Sequence, residues 1–195
     1  MNLIFYKYFV LNFIINIFYF TNSINAINFN IQNNCNYPID IYSHENRQFI
    51  NKCKLNQNDN CIVSYNQLES GLIKTSLSEK ATLFEFTVNN KGIWYDISVI
   101  PPGSGVCYSY SECRTKSNKS GFNIGLDVNI NKPTSSCVNL KCDNEQCSDA
   151  YLYPYDDIKT KFCNLETEFN LIYCNQNSNS TNNNIVIENN IDECN

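Results

Sequence analysis

Histidine is almost missing from this sequence: His44 is the only one among 195 residues. The eleven cysteines (35, 53, 61, 107, 113, 137, 142, 147, 163, 174 and 194) contain no C-x-x-C pair and no His/Cys set at structural-zinc spacing. No bound metal and no cofactor is therefore expected. A G-x-S-x-G motif is also lacking. With the cysteines committed to bridges, His44 has no nucleophile to activate, which argues against a hydrolase triad.

Positive charge is scarce as well, with 14 Lys+Arg against 19 Asp+Glu. Long hydrophobic runs reduce to one, Tyr8 to Phe20, interrupted by Asn12 and Asn16. Its thirteen residues fall short of the about 20 that a membrane-spanning helix needs. Preceded by Lys7 and followed by small and polar residues, it reads as a secretory signal peptide cleaved after Ser23 or Ala26. An extracellular, secreted protein with no stable membrane anchor is expected. Removal of residues 1–26 takes away one cation and leaves 13 against 19 anions, a net charge of −6 over 169 residues. That balance argues against nucleic acid or an anionic membrane surface as a partner.

What is abundant is cysteine beyond the leader, which in a secreted chain reads as a disulfide framework. Between the cysteines, apolar and polar residues alternate in short runs: FNI (29–31), YPIDIY (37–42), GLIKTSL (71–77), TLFEFTV (82–88), IWYDISVI (93–100), FNIGLDVNI (122–130) and EFNLIYC (168–174). Period-two patterning divided by Asn, Gly, Ser and Pro clusters predicts an all-β, antiparallel sandwich stapled by disulfides, with little helix. The predicted organisation is a leader (1–26), one β-domain (27–174) and an Asn-rich tail (175–195) too polar to order itself. The stretch from 101 to 120 reads as an exposed loop closed by Cys107–Cys113, with a glycan acceptor, NKS, at Asn118. A second acceptor, NST, stands at Asn179.

Five of these segments, in order, resemble the thaumatin-like proteins, a family of sweet-tasting and pathogenesis-related defence proteins. They are FNIQNNCNYPIDIY, TLFEFTV with YDISVI, GFNIGLDV, the Cys-x4-Cys of CVNLKC, and CSDAYLYPYDD followed by FC and FNLIYC. The resemblance covers about residues 28–174. It implies the bridges Cys35–Cys174, Cys137–Cys163 and Cys142–Cys147; proximity adds Cys53–Cys61 and Cys107–Cys113. Spacing alone leaves the pairing open, since eight cysteines allow 105 connectivities. Cys194 is left over, so a monomer is expected, with Cys194 free or in an intermolecular disulfide. Where the family carries a long disulfide-rich second domain, this chain has four residues, DNEQ (143–146), so one wall of the family's cleft is missing.

The family's cleft is ringed by an arginine, a glutamate and three aspartates. Carried over position by position, the glutamate falls on Glu85 and two aspartates on Asp96 and Asp149. The third aspartate falls on Ser120 and the arginine on Leu72. Lys74, two residues beyond Leu72, shares its strand face and is the candidate for the missing positive charge. By alternation Glu85 points away from Phe84 and Phe86, and Asp96 shares a face with Trp94. The two acids can thus stand on one sheet surface, as the carboxyl pair of a glycoside hydrolase must. Tyr151, Tyr153 and Tyr155 alternate too. In an extended segment they join Trp94 in a platform for a sugar ring, or else they cover the end of the sandwich.

These residues predict a protein that binds cell-wall or extracellular polysaccharide, with β-1,3-glucan as the first candidate, in a weakly acidic groove. Glu85 and Asp96 are its candidate catalytic acids, and Asp149, Lys74, Trp94, Tyr151 and Tyr153 its substrate contacts. The rival readings are a weak endo-β-1,3-glucanase and a defence protein that disturbs membranes or inhibits enzymes.

Overall fold

The computed structural model describes residues 26–175 except 46 and 67. The predicted leader up to residue 25, Asn179 and Cys194 lie outside the described residues. The chain builds two sheets. One consists of β1 (Ile27–Asn33), β4 (Asn60–Tyr65), β8 (Leu126–Ile130), β9 (Leu140–Cys142) and β12 (Phe169–Tyr173), in the order β4-β1-β12-β8-β9. The other consists of β2 (Ile39–Glu45), β3 (Gln48–Leu55), β5 (Ser70–Lys74), β6 (Leu83–Val88), β7 (Ile93–Ser98), β10 (Ala150–Tyr151) and β11 (Lys161–Cys163). Its order is β10-β7-β6-β5-β2-β3, with β11 pairing the same edge of β7 as β10.

Alternation sets which face is core. In β1, Ile27, Phe29 and Ile31 are buried, as are Leu126, Val128 and Ile130 in β8 and Phe84, Phe86 and Val88 in β6. Phe29 is the hub, its ring meeting those of Tyr65, Phe84, Phe86 and Phe169 at centroid distances of 4.7–5.8 Å. The outer residues of the same strands stay partly exposed, which is what an apolar-in, polar-out sheet requires.

Pairing is antiparallel except at β1–β12 and β10–β7. The β1–β12 exception has a consequence for the bridges. Parallel strands end at the same end of the sheet, so Cys35, just past β1, meets Cys174, just past β12, with Cα atoms 4.9 Å apart. Four further disulfides are present: Cys53–Cys61 joins β3 to β4 and thereby one sheet's edge to the other's, and Cys107–Cys113, Cys137–Cys163 and Cys142–Cys147 secure the loops.

Three features differ from the sequence reading. β3 and β4 go unsignalled because both are edge strands: β3 is mostly exposed with no period of two, and in the short β4 the apolar Ile62 stands on the exposed side and blurs the alternation of Val63 and Tyr65. Only Leu126–Ile130 of the run 122–130 is strand. The 101–120 segment contains a helix, α1 (Tyr110–Ser117), where only an exposed loop is expected. Ser109 caps it, accepting from the Glu112 amide at 3.3 Å, while Glu112 turns back to accept from the Tyr108 amide at 2.9 Å. This is a variant of the Ser-x-x-Glu start, with the glutamate reaching the amide before the cap residue instead of the cap residue's own. Lys116 pairs with Glu112 at 2.7 Å one turn on, and Asn118, exposed and left-handed at φ 51°, ends the helix.

Candidate functional site

The outer face of the second sheet is a grid fixed by register. Across β5, β6 and β7 run two rows, Ser70–Thr87–Trp94 and Leu72–Glu85–Asp96. A third row, Leu83–Ser98–Tyr151, crosses β6, β7 and β10. Phe162 of β11 extends the first row beyond Trp94. Glu85 and Asp96 therefore stand as a direct cross-strand pair, with Trp94 on one side of them and Tyr151 on the other. An open depression of about 440 Å³ lies over this grid, lined by Glu85, Asp96, Thr87, Trp94, Tyr151 and Thr160 among others.

Both acids sit below the rim, and burial raises both pKa values. For Glu85 the rise is opposed by a hydrogen bond from Ser98. Asp96 is pushed up to about 7, first by burial and then by the charge of Glu85 beside it. Leu72, the strand neighbour of Glu85 on its other side, brings no cation to offset either effect. The Oδ1 atom of Asp96 is buried without a hydrogen-bond partner among the described residues. Two like charges about 5 Å apart in an antiparallel pair resist joint ionisation. Below about pH 7 Asp96 offers a donor, and the other carboxyl oxygens of the pair offer acceptors.

Trp94 is 46% exposed and leans on the Phe162 ring at 4.8 Å, so one indole face is supported while other parts stay open to solvent. The Tyr151 hydroxyl donates to Asp157 Oδ1 at 3.2 Å and shares a hydrogen bond with the Thr160 hydroxyl. Burial pushes its pKa up to about 12, so it remains a neutral phenol. An indole and a phenol flanking hydrogen-bonding acids suit a ligand with apolar ring faces and a hydroxylated edge. Among the described residues no group of three or more His, Cys, Asp or Glu is placed to hold a metal ion.

No family model matches the chain. A thaumatin-like protein of Oryza sativa subsp. japonica is 28% identical over 107 residues, which is 54% of this chain and 48% of that protein. Thaumatin-like pathogenesis-related protein 2 of Avena sativa is 30% identical over 106 residues, with the same two shares. Among solved structures, the thaumatin-like xylanase inhibitor TLXI superposes with a TM-score of 0.51 at 12% identity, over 75% of this chain and 98% of that one. The chain is similar to thaumatin-like proteins over about half its length and has a thaumatin-like fold. It spans about half the length of the curated relatives it matches.

Within this thaumatin-like fold the structure brings together Glu85, Asp96, Trp94 and Tyr151 and leaves the other expected contacts elsewhere. Lys74 is 6% exposed; its ammonium lies 4.0 Å from the centroid of the Phe49 ring and donates to the Ser78 carbonyl at 3.3 Å. Alternation does put it on the face of Leu72, but the β3 residue Phe49 covers it. Asp149 turns away from the depression to accept from the Lys141 amide at 3.0 Å and the Ser148 hydroxyl at 3.3 Å. It secures β9 to the segment leading into β10.

The three alternating tyrosines do not form one platform, because strand geometry ends at Tyr151 and the chain bends through Pro154. The Asp156 amide donates to the Tyr153 carbonyl at 3.2 Å, and the charge of Asp156 raises the Tyr153 pKa. Tyr155 stacks on Tyr108 at 5.2 Å. Thr160 and Asp157, which hold the Tyr151 hydroxyl, are the functional residues that sequence reasoning misses. Only the return of the chain as β11 places them there.

Proposed function

We propose that this thaumatin-like protein is secreted and binds an extracellular polysaccharide, with β-1,3-glucan as the ligand that suits it best, in the depression over Glu85 and Asp96. The observation that carries this reading is the cross-strand Glu85–Asp96 pair flanked by Trp94 and Tyr151. A protonated Asp96 beside the carboxyl of Glu85 supplies both a hydrogen-bond donor and acceptors to a vicinal diol. The rings supply the apolar faces on which a pyranose lies. Five disulfides agree with an oxidising compartment.

The raised pKa of Asp96 supports a second reading, weak hydrolysis with Asp96 as the acid. Binding is favoured, because the pair lies in an open depression and only four residues, DNEQ (143–146), stand where a second wall would be, whereas acid catalysis needs water excluded from the bond being cleaved. One experiment separates the two. The purified chain is incubated with insoluble β-1,3-glucan, chitin and cellulose, and both pelleting and reducing-end release are measured. Pelleting with β-1,3-glucan and no release supports the binder; release abolished by Asp96→Asn supports the hydrolase; neither result with any polysaccharide refutes both.

A further inference from the structure

The β2–β5 ladder stops after two pairs, Tyr42↔Lys74 and Ser43↔Ile73, although β2 runs on to Glu45 and β5 begins at Ser70. Where the ladder stops, a slot of about 430 Å³ opens between the β2–β3 hairpin and the β4–β5 connection. Tyr65 reaches it from the other sheet. Ser70 lines both this slot and the depression over Glu85 and Asp96, so the two adjoin at its side chain. The Ser70 hydroxyl is hydrogen-bonded to that of Thr87 at 2.9 Å and marks the ridge between them.

The charges of the slot are unevenly committed. Glu45 is paired with Lys52 at 2.6 Å and accepts from the Ser43 hydroxyl at 2.9 Å; these contacts hold its pKa below the usual carboxylate range against the opposing effect of burial. Since the Ser43 proton goes to Glu45, the Ser43 oxygen accepts from the Tyr65 hydroxyl, its close neighbour. That phenol is itself kept neutral, its pKa pushed up to about 12 by burial. Glu69 accepts from the Asn66 amide at 2.7 Å and from its side chain at 3.4 Å. Both carboxylates of the slot thus have donors on the chain. Arg47 forms no ion pair among the described residues. It is exposed, and its position is set by the tight β2–β3 turn, where its φ is 67° and Glu45 pairs with Gln48.

Glu69 is held only by neutral donors, so the formal charges of Glu45, Arg47, Lys52 and Glu69 cancel. Arg47 is the charged group of the slot without a partner among the described residues, and its guanidinium fork matches a carboxylate in two parallel hydrogen bonds. We propose that this slot binds a carboxylate borne by a glycan whose neutral residues occupy the adjoining depression, so that the protein prefers uronate-bearing polysaccharide to its neutral counterpart. The neutral half of this inference rests on the function proposed above; the anionic half rests on the slot alone. The chain's formal net charge of −5 opposes a polyanion in general, so the preference depends on this local charge and weakens with salt.

The test is calorimetric titration of the purified chain at low ionic strength with two β-1,3-linked oligosaccharides of equal length, one neutral and one oxidised to carboxylates at C6. The wild-type chain binds the carboxylated ligand about tenfold more tightly. Arg47→Gln abolishes that preference and leaves the neutral affinity unchanged, Arg47→Lys retains part of it, and Glu85→Gln weakens both ligands alike. A wild-type chain without preference, or a preference that survives Arg47→Gln, overturns the proposal. If the carboxylated ligand binds through Arg47 and the neutral one does not bind at all, the reading of the depression fails and the slot stands.

Discussion

Glu85 on β6 and Asp96 on β7 face each other in register, and burial raises the pKa of each. In the unfolded chain both return to ordinary carboxylate values, so the native state holds more protons between that range and about pH 7. Stability contributed by the protonated pair is complete at acid pH and is lost as pH rises through the folded values. Asp96→Asn is expected to leave the melting temperature nearly unchanged at pH 4. At pH 8 it should raise stability by at least about 1 kcal/mol, or about 2–4 °C for a domain of this size. Thermal melts across that range check this, and an identical shift at both pH values contradicts it.

Ligand contact is expected to follow the grid. Glu85→Gln weakens glucan pelleting with little change in melting temperature at pH 4, because the amide keeps the shape of the protonated side chain; at higher pH, loss of its buried charge beside Asp96 raises stability. Trp94→Ala removes a half-exposed ring and should cost about 1 kcal/mol of binding, roughly fivefold in affinity. Pelleting isotherms of the two variants decide, and unchanged binding in both removes the depression from consideration.

Asp149 should behave in the opposite way. Its carboxylate accepts from the Lys141 amide, so Asp149→Ala leaves that donor unsatisfied and is expected to cost about 1–3 kcal/mol of stability while sparing glucan binding. Denaturant unfolding and pelleting on the same preparation test both halves.

The bridges should contribute unequally. Cys35–Cys174 spans 139 residues and Cys107–Cys113 spans 6. On the chain-entropy account, replacing each pair by serine costs about 5 kcal/mol for the first and about 2 kcal/mol for the second. Unfolding by guanidinium measures the difference. Equal losses would mean that local packing, and not loop closure, dominates.

The acids of the site were readable from sequence for a simple physical reason. In TLFEFTV and IWYDISVI the apolar residues alternate so strictly that the remaining side chains have only the outer face to occupy. Lys74 obeys the same alternation and yet is covered, because Phe49 belongs to an edge strand whose residues show no period of two. The helix at 110–117 had a signal, Ser109 with Glu112 three residues on, masked by the Gly, Ser and Lys content around it. Tyr153 and Tyr155 alternate with Tyr151 as letters but not in space, since Pro154 turns the chain.

By itself the sequence determined the two-faced strands, the burial of Phe29, Phe84 and Phe169, and the outward direction of Glu85, Asp96 and Trp94. Each of these follows from period-two patterning and the cost of leaving large apolar side chains in water. Tertiary structure alone decided that Glu85 and Asp96 are partners, that Tyr151 and Thr160 join them, that Asp149 and Lys74 do not, and that β2 and β5 part beside Arg47. Those outcomes depend on register and on which edge each later strand takes, and contacts between residues far apart in the chain leave no periodic trace within any one segment.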